Sequence, residues 1–208
     1  MAYRSSEKTR QKKDAKRTAM MQAAVQVFAE KGYHAATVRD IVNASDVAIG
    51  TFYFYFPDKE TLFVHLYEET ADFLLQTIDQ AVRSRQDLAQ QLSRGIQAYL
   101  NIAVYEPAVV QLLLVGGVGA IPSLEVKRSN FRERLARLWQ RPLDQAIDAG
   151  TIPNQNSRRI AEAFAGAFDE VVLQLLAQPE PDEEVGAAVQ ELTLFSLRAV
   201  AYKGTPST

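Results

Sequence analysis

The run Phe52-Tyr53-Phe54-Tyr55-Phe56, closed by Pro57, constrains this chain more than any other feature. Five aromatics alternating at period two favour a strand locally. A helix starting near Ala48 sorts them differently. Steps of 100° place Phe52 and Phe56 about 40° apart on one face. Phe54 then lies nearly opposite, with Gly50 and Thr51 beside it and Tyr53 at the edge. The flanks favour the helix. Pro57 ends it, and Asp58 is suited to cap the next segment, "KETLFVHLYEETADFLLQTIDQAV".

Upstream, Met21, Ala24, Val25 and Phe28 share a helical face, and Gly32 stops that helix. Thr37 and Asp40 form a capping-box pair at the next start. In that helix Val38, Ile41, Val42 and Ser45 face one way, while Arg39, Asp40 and Asn43 point away. A longer helix covering two short ones joined by a tight turn is a helix-turn-helix arrangement. Beyond Asp58 the chain reads as further helix, divided at Pro107, Pro122, Pro153, Pro179 and Pro181, with a kink expected at Pro142. No hairpin signal interrupts it. The expected class is all-α, with an N-terminal three-helix helix-turn-helix domain, a C-terminal helical bundle and about nine helices. The boundaries read as a disordered basic arm at 1–14, the helix-turn-helix domain at 15–58, the bundle at 59–203 and a disordered tail at 204–208.

Composition excludes several classes. With no cysteine there is no disulfide, thiolate metal site or cysteine nucleophile. The longest apolar run, Ala108–Ile121, is interrupted by Gln111 and is shorter than the roughly 20 residues that span a bilayer. The basic N-terminus lacks the apolar core of a signal peptide, so a cytoplasmic protein is expected. Residues 1–50 hold nine Lys/Arg against five Asp/Glu, or +4; the chain totals −2, so residues 51–208 carry −6. A basic front and an acidic back point to a nucleic-acid contact at the front.

Lys59 stands in the first turn of a helix, where a cation opposes the macrodipole unless an anion is bound there. Thr37 marks a second helix start with free amides. Tyr53 and Tyr55 supply hydroxyls of the kind that reach phosphate oxygens. Gly50, Thr51 and Phe54 form a small, partly apolar surface suited to the major groove, and Arg39 is placed to reach guanine or phosphate.

From Ala24 to Phe63, "AVQVFAEKGYHAATVRDIVNASDVAIGTFYFYFPDKETLF" resembles the tetracycline-repressor (TetR/AcrR) family of bacterial transcriptional regulators. The resemblance places Thr37 and Arg39 where the second helix meets DNA, and Ile49, Gly50, Thr51, Tyr53, Phe54 and Tyr55 on the recognition helix. Lys59 matches a phosphate-contacting lysine. Two positions depart from the pattern. Asp46 occupies a turn position usually held by glycine, and Ile49 replaces a commonly polar residue. The family implies a repressor released from a palindromic operator by a small hydrophobic or amphipathic effector, acting as a homodimer with half-sites one duplex turn apart.

The last two helices, "SRRIAEAFAGAFDEVVLQLLA" and "EEVGAAVQELTLFSLRAVA", carry the stripes Ala161, Ala165, Phe168, Val172 and Val189, Leu192, Phe195, Ala199. These serve either a dimer or the chain's own core. Candidate effector-lining aromatics are Tyr67, Tyr99, Tyr105, Phe131, Trp139 and Phe164. From Lys127 to Arg141 six cations stand against Glu133 alone, which fits a solvated face or an anionic amphiphile such as an acyl-CoA. "AGAFDEVV", Ala165–Val172, is similar to fatty-acid-responsive family members. No cofactor and no enzyme is expected. "GGVGAIP" lacks the third glycine of a dinucleotide turn, and His65 with Glu68, Glu69 and Asp72 fits helical ion pairing better than a metal. The alternative is a helical ligand-binding or architectural DNA-binding protein without regulated, sequence-specific binding.

Overall fold

The computed structural model describes residues 7–83, 87–119 and 121–204, with side chains from residue 15 onward. Among the described residues there are nine helices and no strand: α1 (Glu7–Ala35), α2 (Val38–Ala44), α3 (Ile49–Tyr55), α4 (Lys59–Arg83), α5 (Leu88–Tyr105), α6 (Pro107–Leu114), α7 (Pro122–Asp148), α8 (Ser157–Leu176) and α9 (Pro181–Ala199). Helix α1 reaches back to Glu7, so residues 7–14 are helical where disorder was expected. Residues 1–6 of the expected arm and 205–208 of the expected tail lie outside the described residues.

The punctuation of the sequence acts as its chemistry dictates. Gly32 leaves the helical region at φ 73°, which a residue bearing Cβ adopts only with strain. Pro107, Pro122 and Pro181 each open a helix, where a missing N–H is harmless. Pro142 lies inside α7, which continues to Asp148.

The chain forms two compact units. One comprises the residues up to Glu69 with Gln111–Lys127; the other comprises Thr70–Val110 with the residues from Arg128 onward. This division differs from a single break after Asp58, because the first turns of α4 and the segment around Gly116 pack together. A Cβ on Gly117 would come within 2.9 Å of the Phe63 ring.

In the first unit α1 packs on α2 and α2 on α3. Met20, Ala24, Ile41, Phe52, Leu62 and Phe63 are buried between them, and the Phe28 and Phe63 rings meet edge to face at 4.9 Å. In the second unit α5 packs on α8 and α9. Its core holds Leu92, Ile96, Tyr99, Leu135, Trp139, Phe164, Phe168 and Val172. The end of the chain returns to this unit: the Tyr202 hydroxyl donates to Asp87 Oδ2 at 2.5 Å, and Lys203 N–H donates to the Thr151 carbonyl at 3.0 Å.

Candidate nucleic-acid interface and effector domain

Helix α2 is fixed at its start by a reciprocal cap. Thr37 Oγ1 accepts from Asp40 N–H at 3.1 Å, while Asp40 Oδ2 accepts from Thr37 N–H at 2.9 Å. Lys31 Nζ donates to Asp40 Oδ1 at 2.7 Å. The Lys31 and Thr37 hydrogen bonds hold the Asp40 carboxyl down at about 2. Arg39 is left exposed beside this cap.

The turn into α3 passes through Asp46 at φ 52°, the left-handed geometry that explains why glycine suits this position and aspartate tolerates it. Helix α3 then sorts its aromatics as the 100° step requires. Phe52 and Phe56 are buried, 5.8 Å apart between ring centres. Ile49, Tyr53 and Phe54 are exposed, Phe54 by 67%, and Gly50 is open beside them. Thr51 and Tyr55 are half-buried, and the Phe54 ring rests edge-on against Tyr55 at 5.0 Å. Phe56 is extended at φ −132°, as a residue preceding proline should be. Asp58 Oδ1 then accepts from Thr61 N–H at 2.7 Å and starts α4.

Lys59 is not the bare cation that its position implies. Its ammonium donates to the carbonyls of Tyr33 at 2.6 Å and Ala36 at 2.9 Å, and lies 4.3 Å from the Tyr33 ring centre. It therefore sits at the positive start of α4 and the negative end of α1 together, which answers the macrodipole cost internally. The third N–H has a 3.5 Å contact with the His34 carbonyl. Partial burial lowers its pKa.

The other charges also find partners. In the first unit Glu69 pairs with Arg17 at 2.8 Å and Glu68 with Lys127 at 2.5 Å; in the second, Asp72 pairs with Arg134 at 2.6 Å and Asp79 with Arg141 at 2.9 Å. Arg137 pairs with Glu133 in its own helix. The basic run on α7 is thus neither a purely solvated face nor an open anion site, since at least four of its six cations are matched by carboxylates. The acids around His65 are matched too, and among the described residues no group of three or more histidines and carboxylates is placed to hold a metal. "VVQLLLVGGVG" forms helix α6 and a turn, not strand and phosphate loop.

Of the six aromatics expected to line an effector site, Tyr67 is buried in the first unit, while Tyr99, Phe131, Trp139 and Phe164 are buried in the second. Tyr105 is 74% exposed, because it ends α5 just before Pro107. Trp139 lies edge-on to Phe168 at 5.0 Å, and Phe168 stacks with Phe164 at 5.7 Å. The Trp139 indole N–H is buried with no hydrogen-bond partner among the described residues. Sequence reasoning passed over Asp169, a carboxylate inside an otherwise apolar face of α8. It accepts from the Tyr99 hydroxyl at 2.6 Å, and burial pushes its pKa up to about 6 against the lowering effect of Tyr99 and Arg132. A lone charge in an amphipathic helix's apolar stripe was the available signal.

The stripes assigned to a dimer divide between core and surface. Ala161, Ala165, Phe168, Val172, Val189 and Leu192 are buried within the chain's own unit, because α5 already covers those faces of α8 and α9. Phe195 and Ala199 are exposed, as is Leu194, which the stripe omitted.

Residues 20–66 match the family model for bacterial regulatory proteins of the tetR family, and residues 89–196, just over half of the chain, match the tetracyclin repressor-like C-terminal domain. The chain belongs to the tetR family. An uncharacterized HTH-type transcriptional regulator of Bacillus subtilis, YvdT, is 37% identical over 182 residues, covering 87% of this chain and 93% of that protein. The fatty acid metabolism regulator protein of the same organism is 26% identical over 165 residues, covering 74% and 79%. The crystal structure of the transcriptional regulator FadR from Bacillus subtilis, in complex with stearoyl-CoA, superposes with a TM-score of 0.75 at 20% identity, covering 85% of this chain and 97% of that one. This tetR-family chain is a helix-turn-helix transcriptional regulator and not an enzyme. Among its described residues no helix is long and apolar enough to cross a membrane.

Proposed function

We propose that this regulator is a cytoplasmic repressor that binds a palindromic operator as a homodimer and releases it when a hydrophobic or amphipathic effector binds the C-terminal bundle. The observation that carries the reading is the split of α3 into a buried pair, Phe52 and Phe56, and an exposed surface of Ile49, Gly50, Tyr53 and Phe54. A seven-residue helix anchored on one side and partly apolar on the other suits the major groove and its thymine methyls. Thr37, Arg39, Thr51, Tyr55 and Lys59, whose ammonium would exchange its long 3.5 Å contact with the His34 carbonyl for a phosphate oxygen, are the proposed groove and phosphate contacts. Residues 15–58 serve DNA in this reading, and 59–203 serve effector and dimer.

The effector side rests on the buried aromatics of the second unit. An unpartnered indole N–H beside Phe168, with Tyr99 and Phe164 buried in the same unit, offers an apolar setting with one donor. An acyl-CoA is the effector class we favour, supported by the likeness to the fatty acid metabolism regulator. Selection from genomic fragments followed by footprinting tests the reading. A converged palindrome is expected; uniform retention of all sequences overturns it. Native mass spectrometry of the purified protein tests the effector class, with a co-purified acyl species expected.

A further inference from the structure

Two polar groups stand among the aromatics of the second unit, one a donor and one an acceptor. The donor is the Trp139 indole N–H, buried without a hydrogen-bond partner among the described residues. The acceptor is the Asp169 carboxylate. It offers about four lone-pair sites, and the buried Tyr99 hydroxyl takes one of them on Oδ1 at 2.6 Å. Asp169 itself is only half-buried, so a small molecule can reach it. Three helices bring the two groups together. Asp169 follows Phe168 on α8, and the Phe168 ring meets Trp139 of α7 at 5.0 Å. On α5, Gly95 accommodates the Cζ3 and Cη2 end of the indole, while Tyr99 holds Asp169. Gly95 and Tyr99 are one turn apart, about 6 Å along the helix axis. Phe164, stacked on Phe168 at 5.7 Å, adds an apolar wall.

This pairing of donor and acceptor suits one kind of chemical group. A plain hydrocarbon tail covers both polar groups and satisfies neither. A ketone accepts from the indole but has no proton to give Asp169. An ammonium suits the carboxylate yet leaves the indole N–H unmatched, and the Arg132 guanidinium already acts on Asp169. A hydroxyl both donates and accepts. Placed between the two groups it reaches about 2.8 Å to either side, a span comparable to the one turn of α5 that separates their supports.

We infer that the effector carries a hydroxyl on its apolar chain, which donates to Asp169 and accepts from the Trp139 N–H. The inference rests on the effector reading above and narrows its class from acyl to hydroxyacyl chains.

The test is isothermal titration calorimetry of the full chain with dodecanoyl-CoA and its hydroxy, keto and amino derivatives. The substituted carbon is moved along the chain, and the buffer is held near pH ~7.5, where the Asp169 carboxyl, with its pKa of about 6, is ionised. The best hydroxy probe is expected to bind about tenfold or more tightly than the plain, keto and amino probes of the same length. Asp169→Asn keeps an oxygen for the Tyr99 hydroxyl but turns N–H donors toward the ligand, so the preference for hydroxy over keto is expected to vanish or reverse. Trp139→Phe is expected to weaken the hydroxy probe by about threefold or more while leaving the plain one unchanged. Circular dichroism melts report the fold of each variant, and the ranking of probes on the native chain decides the matter without them. Equal binding of the hydroxy and plain probes at every position, tightest binding of the keto or amino probe, or an unchanged preference in folded Asp169→Asn overturns the inference and leaves an acyl-CoA effector standing. Binding of no probe removes the hydroxyl and the acyl-CoA class together, and operator selection then reports separately on DNA recognition.

Discussion

The Lys59 ammonium lies 2.6 Å from the Tyr33 carbonyl oxygen and 4.3 Å from the centre of the Tyr33 ring. One side chain thus closes the end of α1 against the start of α4. Lys59→Ala removes charged hydrogen bonds to two carbonyls, an expected loss of about 2 kcal/mol in urea denaturation. Operator affinity measured against salt reads the other proposed role. Loss of one phosphate contact lowers the slope by about 0.9, whereas an unchanged slope with lost stability leaves Lys59 as a structural clamp only.

Phe52 and Phe54 are two residues apart and have opposite environments, 0% and 67% exposed. Phe54→Ala is expected to leave the melting temperature unchanged and to weaken retention of the selected operator by about tenfold. Phe52→Ala empties the centre of the first unit and is expected to cost about 3–5 kcal/mol. Equal losses of stability in both variants would contradict the sorting.

Asp169 makes the second unit sensitive to pH. Its folded pKa of about 6 lies above the ordinary carboxyl value near 3.9, so folding favours the protonated form. The associated stability is fully present below pH ~4 and is lost as pH rises through about 6. Comparing the native chain with Asp169→Asn by denaturation at pH 4.5 and 7.5 isolates this group. The native chain is expected to lose about 2 kcal/mol relative to the variant at the higher pH, allowing for residual solvent contact. A difference independent of pH would refute the assignment.

Gly95 admits Trp139 against α5. A Cβ there would come within 2.7 Å of both the Trp139 ring and Val82. Gly95→Ala is expected to cost about 1–3 kcal/mol through overpacking. Trp139 is the single tryptophan, so its fluorescence follows the displacement directly.

Local rules gave the elements because their causes are local. The Thr37–Asp40 cap, the Asp58 cap and the separation of Phe52 from Phe54 follow from spacings within four residues, and the structure has each of them, while Gly32 kinks α1 rather than ending it. The partners of Lys59 were not legible, since Tyr33 and Ala36 lie more than twenty positions away. The cations of α7 read as a solvated face until Glu68, Asp72 and Asp79 of α4 came within reach.

By itself, then, the sequence determined an all-helical regulator with a helix-turn-helix front, because helical periodicity, caps and breakers act through neighbouring residues. The tertiary structure decided which body covers each face. It assigned Phe168 and Val172 to the chain's own core, left Leu194 and Phe195 at the surface, and drew Asp169 beside Tyr99. A period shows which side chains point together, whereas what they point at depends on contacts distant in the chain.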